Sequence, residues 1–271
     1  MMNCYLKCLA IAVVLTGSNG AWANSIEDTH RFRLGVYEQD VDVTSSATKA
    51  PLPEIEIDFD KVLGLEDSST SAFLSYQWRF SENWSLQAFY SQMETSGKKV
   101  AQKDFNYNGE EYTVGMRLDT DFDLDTYLVS VSYSLIRDSR KEFGLGFGLH
   151  VFDIETTIAA AVGVQGSVQE DTRTTAQVTA PLPNLRAYGT YLITDRWEVS
   201  AAAGWLSLNY EDYEGNYLYL TAFTEYRITN NFGMGLSYQI AEIDVTENDG
   251  TSKKEFNMDF LGPSIYLTYG F

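Results

Sequence analysis

The stretch Ser264-Ile-Tyr-Leu-Thr-Tyr-Gly-Phe271 decides the fold. Ile265, Leu267, Tyr269 and Phe271 share one parity; Ser264, Tyr266, Thr268 and Gly270 share the other. Successive side chains of a strand point to opposite faces. One face is therefore wholly apolar, and the other is small, aromatic or polar. A helix would scatter the same residues around its circumference.

Working outward, the same pattern recurs. Tyr127, Val129, Val131, Tyr133 and Leu135 alternate with Leu128, Ser130, Ser132 and Ser134. Phe143, Leu145, Phe147, Leu149 and Val151 alternate with Gly144, Gly146, Gly148 and His150. Phe232, Met234, Leu236, Tyr238 and Ile240 alternate with Gly233, Gly235, Ser237 and Gln239. Bands of this length match tilted strands that cross a hydrocarbon layer, which need about 9–11 residues. A soluble, lipocalin-like barrel also has one apolar face. Membrane-length bands, aromatic band ends and Gly/Ser-rich opposite faces with Arg and Glu favour lipid over a dry core.

Short links join the strands in pairs at Ser81–Asn83, Arg137–Glu142, Thr194–Arg196 and Thr229–Asn231. Trp78, Phe80, Trp84, Phe143, Trp197, Phe232, Tyr269 and Phe271 flank them, forming an aromatic girdle at one interface. Short turns mark the periplasmic end. The expected fold class is all-β: an antiparallel up-and-down transmembrane β-barrel of ten strands, with eight and twelve as the neighbouring counts. The strands are placed at 30–43, 70–80, 84–96, 122–136, 142–158, 184–194, 197–210, 216–228, 232–245 and 257–271. The first is the weakest, because Glu38 shares the face of Phe32, Leu34 and Val36. Segments 44–69, 97–121, 159–183 and 246–256 are expected as long extracellular loops. Within them, Glu54–Asp60 alternates like a strand and is placed as an extracellular extension of the second strand. Asn108-Gly109 marks the turn of an exposed hairpin within 98–121.

Residues 1–23 read as a secretory signal, and the remaining 24–271 as the barrel. Lys7 precedes the apolar core Cys8–Gly17, and Ala21-Trp22-Ala23 supplies the cleavage pattern. The apolar run is too short for a membrane-spanning helix. Cys4 and Cys8 both fall inside the signal, so the mature chain is expected to have no disulfide and no Cys-ligated metal.

After removal of the signal, 18 basic residues face 38 acidic ones, a net charge of −20. That argues against nucleic acid as a partner. The acids cluster between apolar segments, as solvated loops do. None has the Gly and terminal Glu spacing of an EF-hand, and no metal or cofactor is expected.

The ending Ile265-x-Leu267-x-Tyr269-x-Phe271 resembles the C-terminal signature of Gram-negative outer-membrane barrels. The resemblance implies an outer-membrane location, with lipid and lipopolysaccharide as surroundings. It also implies recognition of Ile265, Leu267, Tyr269 and Phe271 by the barrel assembly machinery. The chain is similar in architecture to small barrels of the outer-membrane protein A and W types, without a diagnostic motif of either. It is similar to omptin proteases in strand count, but their Asp-x-His couple is missing: Gly148 stands two residues before His150. Lipid A deacylases, also small barrels, use a His-Ser pair, whereas Val151 follows His150 here.

The inner faces carry charge. Arg31 and Arg33, Arg79, Arg186, Glu198, Glu225 and Arg227 fall on luminal parities, and Arg79, Glu198, Glu225 and Arg227 crowd the periplasmic end. An ion-pair network there would close the lumen or act as a constriction. Phe89, Tyr188, Tyr219 and Phe223 also point inward, favouring closure. His150 is expected as an interior histidine and His30 as a solvated residue at the mouth of the first strand. No catalytic residue is assigned. The leading expectation is a non-enzymatic barrel with a structural or surface-interaction role. The alternative is a narrow porin-like channel or a carrier of small apolar solutes. A barrel hydrolase acting on lipid or peptide ranks third.

Overall fold

The computed structural model describes residues 25–49, 55–66, 68–108, 110–164, 167–210, 213–248 and 252–271. Residues 1–23, expected as a secretory signal, lie outside these. Thirteen strands follow a short 3-10 turn at Ser25–Glu27: β1 (His30–Lys49), β2 (Ile55–Asp58), β3 (Ser68–Arg79), β4 (Trp84–Val100), β5 (Phe105–Tyr107), β6 (Glu110–Tyr112), β7 (Arg117–Arg137), β8 (Lys141–Val164), β9 (Ser167–Thr194), β10 (Trp197–Tyr210), β11 (Tyr213–Arg227), β12 (Phe232–Asn248) and β13 (Ser252–Gly270). Ten of them, all but β2, β5 and β6, form a closed antiparallel barrel, and β2 adds an eleventh strand to the same sheet. The barrel closes where β13 pairs with β1, from Arg31 opposite Gly270 to Lys49 opposite Ser252. Closure leaves no free edge strand, which would expose a row of lone N–H and C=O groups to hydrocarbon.

The alternation read from the sequence sets which side faces out. Leu34, Leu74, Val129, Phe147, Leu185, Leu236 and Ile265 are exposed on the outer surface. Their neighbours in sequence, among them Ser75, Leu128, Ser130, Ser237 and Ser264, are buried in the lumen. Trp84 and Tyr133 meet edge to face, 5.0 Å apart, in the lower girdle. Glu38 does share the outward face of Phe32, Leu34 and Val36. It sits at the top of that band, exposed, and accepts a hydrogen bond from Thr70 Oγ1 at 2.8 Å.

Local turn chemistry accounts for three of the tight periplasmic links. Asp138 Oδ1 accepts from the Arg140 and Lys141 amides at 2.8 and 3.0 Å. Thr194 Oγ1 accepts from Trp197 N at 3.1 Å, and Thr229 Oγ1 from Phe232 N at 2.9 Å. A short oxygen-bearing side chain at the first turn position thus holds the amide three residues on.

Above the membrane the strands continue. β8 and β9 run for 24 and 28 residues, far beyond one crossing. Much of what the sequence suggests as loop at 159–183 and 246–256 is therefore strand. Ile55–Asp58 is also placed differently from the expectation. It pairs with the top of β1, with Thr44 opposite Asp58 and Ala47 opposite Ile55. A π-helical turn at Phe59–Leu63 separates it from β3. The expected hairpin forms between β5 and β6, with Asn108 at φ 48 in its turn. It is not an exposed hairpin, however: Phe105 and Tyr112 are buried and stack 5.0 Å apart. Their apolar surface is removed from water by folding back over the barrel.

The seam between β9 and β10 is incomplete. β9 and β10 pair up to Leu185 opposite Trp205 and no further. Yet β9 stays paired with β8 as far as Ser167, and β10 with β11 as far as Tyr210. Pro181 and Pro183 stand just above the last pair. Leu192 N donates to Arg140 O, on the β8 side, so amides of the opposite parity in β9 point at β10. Pro181 and Pro183 have that parity and carry no N–H to donate.

Candidate functional site

The lumen is filled at two levels, with a chamber between them. At the periplasmic level the 3-10 turn tucks into the barrel mouth, and Ser25 and Ile26 are buried. Arg31 donates to the Ser25 carbonyl, and Arg137 Nη2 donates to the Ile26 carbonyl at 3.2 Å. Ser25 Oγ in turn donates to Glu198. Asp28 bridges Arg31, at 3.0 Å, and Arg227. Arg31 also reaches Glu198 at 3.2 Å, and Arg33 reaches Glu225 at 3.1 Å. Glu225 lies 3.4 Å from Arg227. Glu198 and Glu225 are almost wholly buried. Ions taken so far from water persist only when paired and hydrogen-bonded.

Arg79 stands apart from this cluster. Its guanidinium pairs with Glu142 at 2.7 Å, and Glu142 also accepts from Ser134 and Tyr188. The sequence places Arg79, Glu198, Glu225 and Arg227 at one end. The structure brings Glu198, Glu225 and Arg227 together with Arg31 and Arg33, and gives Arg79 its own partner. Sequence reading missed Asp28 and Glu142. Glu142 has the luminal parity of Gly144, Gly146 and Gly148, so periodicity alone could have found it. Asp28 precedes the first strand, where no period applies.

The upper level is apolar. Phe59 and Leu63 from the π-helical turn and Phe105 and Tyr112 from the hairpin pack into the barrel top. There they meet inward-facing Phe122, Ile158, Met258 and other residues. Tyr112 and Leu63 have no exposed surface at all.

Between the two levels lies a cavity of about 60 Å³. His150, Arg186, Gln87, Tyr217, Tyr219 and Phe89 are among its walls. His150 Nδ1 is 2.9 Å from Asn184 Nδ2, and its ring meets Tyr217 and Tyr219 edge-on at 5.0 Å each. Asp153, three residues on, faces outward and accepts from Gln177 and Thr179. Among the described residues no group of three or more His, Cys, Asp or Glu side chains is placed to hold a metal.

His30 differs from its expectation as a solvated residue. Its Nδ1 is 2.8 Å from the Tyr76 hydroxyl, and its ring lies 5.1 Å from that of Phe271. The Phe271 carbonyl accepts from the amides of Thr29 and His30. The expected assembly-signal residues Ile265, Leu267 and Phe271 are exposed on the outer face, and Tyr269 is half-buried beside Phe271.

Residues 54–253 match the family model for the outer membrane beta-barrel porin, MtrB/PioB. The match covers most of the chain, which belongs to that family and to the outer membrane. Among solved structures, the outer membrane protease OmpT from Escherichia coli is 11% identical, with a TM-score of 0.61 over 94% of this chain and 100% of that one. OprG from Pseudomonas aeruginosa is 12% identical, with a TM-score of 0.38 over 93% and 98%. Neisserial surface protein A is 14% identical, with a TM-score of 0.28 over 87% and 97%. The likeness to OmpT is one of fold. No curated protein sequence matches the chain.

Proposed function

We propose that this member of the MtrB/PioB outer-membrane barrel family is a closed, non-enzymatic barrel that holds an acidic β-extension at the cell surface. The observation that carries this reading is the double filling of the lumen. Ion pairs and the Ser25–Glu27 turn occupy the periplasmic level, and the Phe59–Leu63 turn with the β5–β6 hairpin occupies the upper one. Long strands then carry carboxylates outward above the apolar band, including Glu94, Asp121, Asp123, Asp125 and Glu155. Such an extension is a rigid platform for contacts outside the cell. His150 bonded to Asn184, with no acid of its own strand beside it, supports a structural histidine rather than a general base.

Planar-bilayer recording tests the reading. The purified barrel is expected to insert without single-channel steps. Steady ohmic conductance of the unmodified protein would overturn it. Solute passage is the second reading, favoured by the chamber between the two levels. It requires both levels to move.

A further inference from the structure

Arg186 differs from the luminal arginines that carry the ion pairs. Arg31, Arg33, Arg79 and Arg227 each pair with a carboxylate. Arg186 donates only to neutral partners, Gln87 Oε1 and Ser130 Oγ. Among the described residues no carboxylate lies within ion-pair distance of it. Its Nε is buried and has no protein acceptor. A guanidinium keeps its charge under all ordinary conditions, so this is a fixed, uncompensated cation inside the barrel.

The surroundings make room for that cation. Arg186 is in register with Gly146 on β8 and Gly204 on β10. Gly204 is in turn opposite Tyr219 on β11, whose ring lies where a Cβ on Gly204 would be. Tyr219 is only 6% exposed, and its hydroxyl has no protein partner. Both residues line the central cavity. Gln87 lies on the same wall, and Phe73, Phe89, Phe223 and Phe260 supply apolar surface. At about 60 Å³ the cavity holds roughly four waters, the bulk of one acetate-sized carboxylate.

We infer that this chamber is a binding site for a small aliphatic carboxylate of about acetate size. Its carboxylate oxygens would take two hydrogen bonds from Arg186 and one from the Tyr219 hydroxyl, while the alkyl group rests on the phenylalanines. An uncompensated guanidinium selects a single negative charge. The aromatic walls select against a bare inorganic ion, which would leave them uncovered. Entry follows from the seam between β9 and β10. Pairing there ends at Leu185 and Trp205, one residue above Arg186 and Gly204, so the strands part beside the chamber.

The test is calorimetric titration of the full-length folded barrel in detergent with acetate, with protein-free micelles subtracted. One saturable site is expected. Arg186→Gln should weaken it at least tenfold, and Tyr219→Phe about threefold to tenfold. Gly204→Ala, which drives the Tyr219 ring into the cavity, should abolish binding with Arg186 intact. Folding of each variant is checked by the mobility shift between unheated and heated samples. Should Arg186→Gln fail to fold, Tyr219→Phe and Gly204→Ala carry the test. Absence of saturable heat, unchanged affinity in the folded variants, or equal binding of chloride at matched concentration would overturn the inference.

Discussion

Arg79 and Glu142 show what a single residue contributes here. Among the described residues each is the other's only ion-pair partner, and both are more than nine-tenths buried. Removing one leaves the other without compensation in a low-dielectric lumen. Arg79→Ala should therefore cost about 3–5 kcal/mol in urea unfolding, whereas the joint change Arg79→Met, Glu142→Leu should recover most of it. An Arg79→Ala loss under 1 kcal/mol would mean that water reaches this level. The sequence announced one member of this pair and every member of the neighbouring network but Asp28. Charges on strands were legible because luminal parity repeats every two residues. Asp28 was not, because its position depends on a turn that finds its place only when Arg31, Arg227 and Phe271 are assembled around it.

At the scale of elements, the upper strands crowd like charges. Burial, with Glu94, Glu155, Asp121 and Asp125 close by, pushes the Asp123 carboxyl above the usual carboxylate range. Burial beside Glu242, Asp244 and Asp42 does the same to Asp259. A carboxyl with a raised folded-state pKa binds its proton more tightly than in the unfolded chain. Its repulsion is thus fully present at pH 7 and relieved as pH falls through the carboxylate range. Asp123→Asn should mimic that relief at constant pH. Backbone amides of β7 and β8 near Asp123 and Glu155 should exchange about two- to fivefold more slowly in the variant at pH 7, a modest gain because these groups are partly solvated. Faster exchange would contradict the electrostatic account. The extension itself was poorly legible. Thr- and Ala-rich residues from Thr156 to Ala161 have no clear alternation, and they become strand because the upper part of β9 lies alongside to pair with them. The hairpin's turn was readable from Asn108-Gly109, but its inward fold depends on Leu118, Phe122 and Ile158 waiting inside the barrel. Those contacts are distant in sequence and carry no local signature.

For the whole molecule, ten strands, their faces and the periplasmic polarity were carried by a pattern repeated in every crossing, which tolerates local irregularity. What fills the barrel was not, because the filling comes from the connections rather than the crossings. The two levels are built from unrelated parts: charged residues and the first turn below, apolar side chains of the upper turn and hairpin above. Electrically they are two large resistances in series. Current through such a pair is limited by whichever remains, so opening one changes almost nothing. Deleting Ser25–Asp28 should leave the bilayer silent, and so should Phe59→Ala with Leu63→Ala. Only the combination should yield discrete steps. Conductance from either change alone would mean that one of the two is already a short circuit.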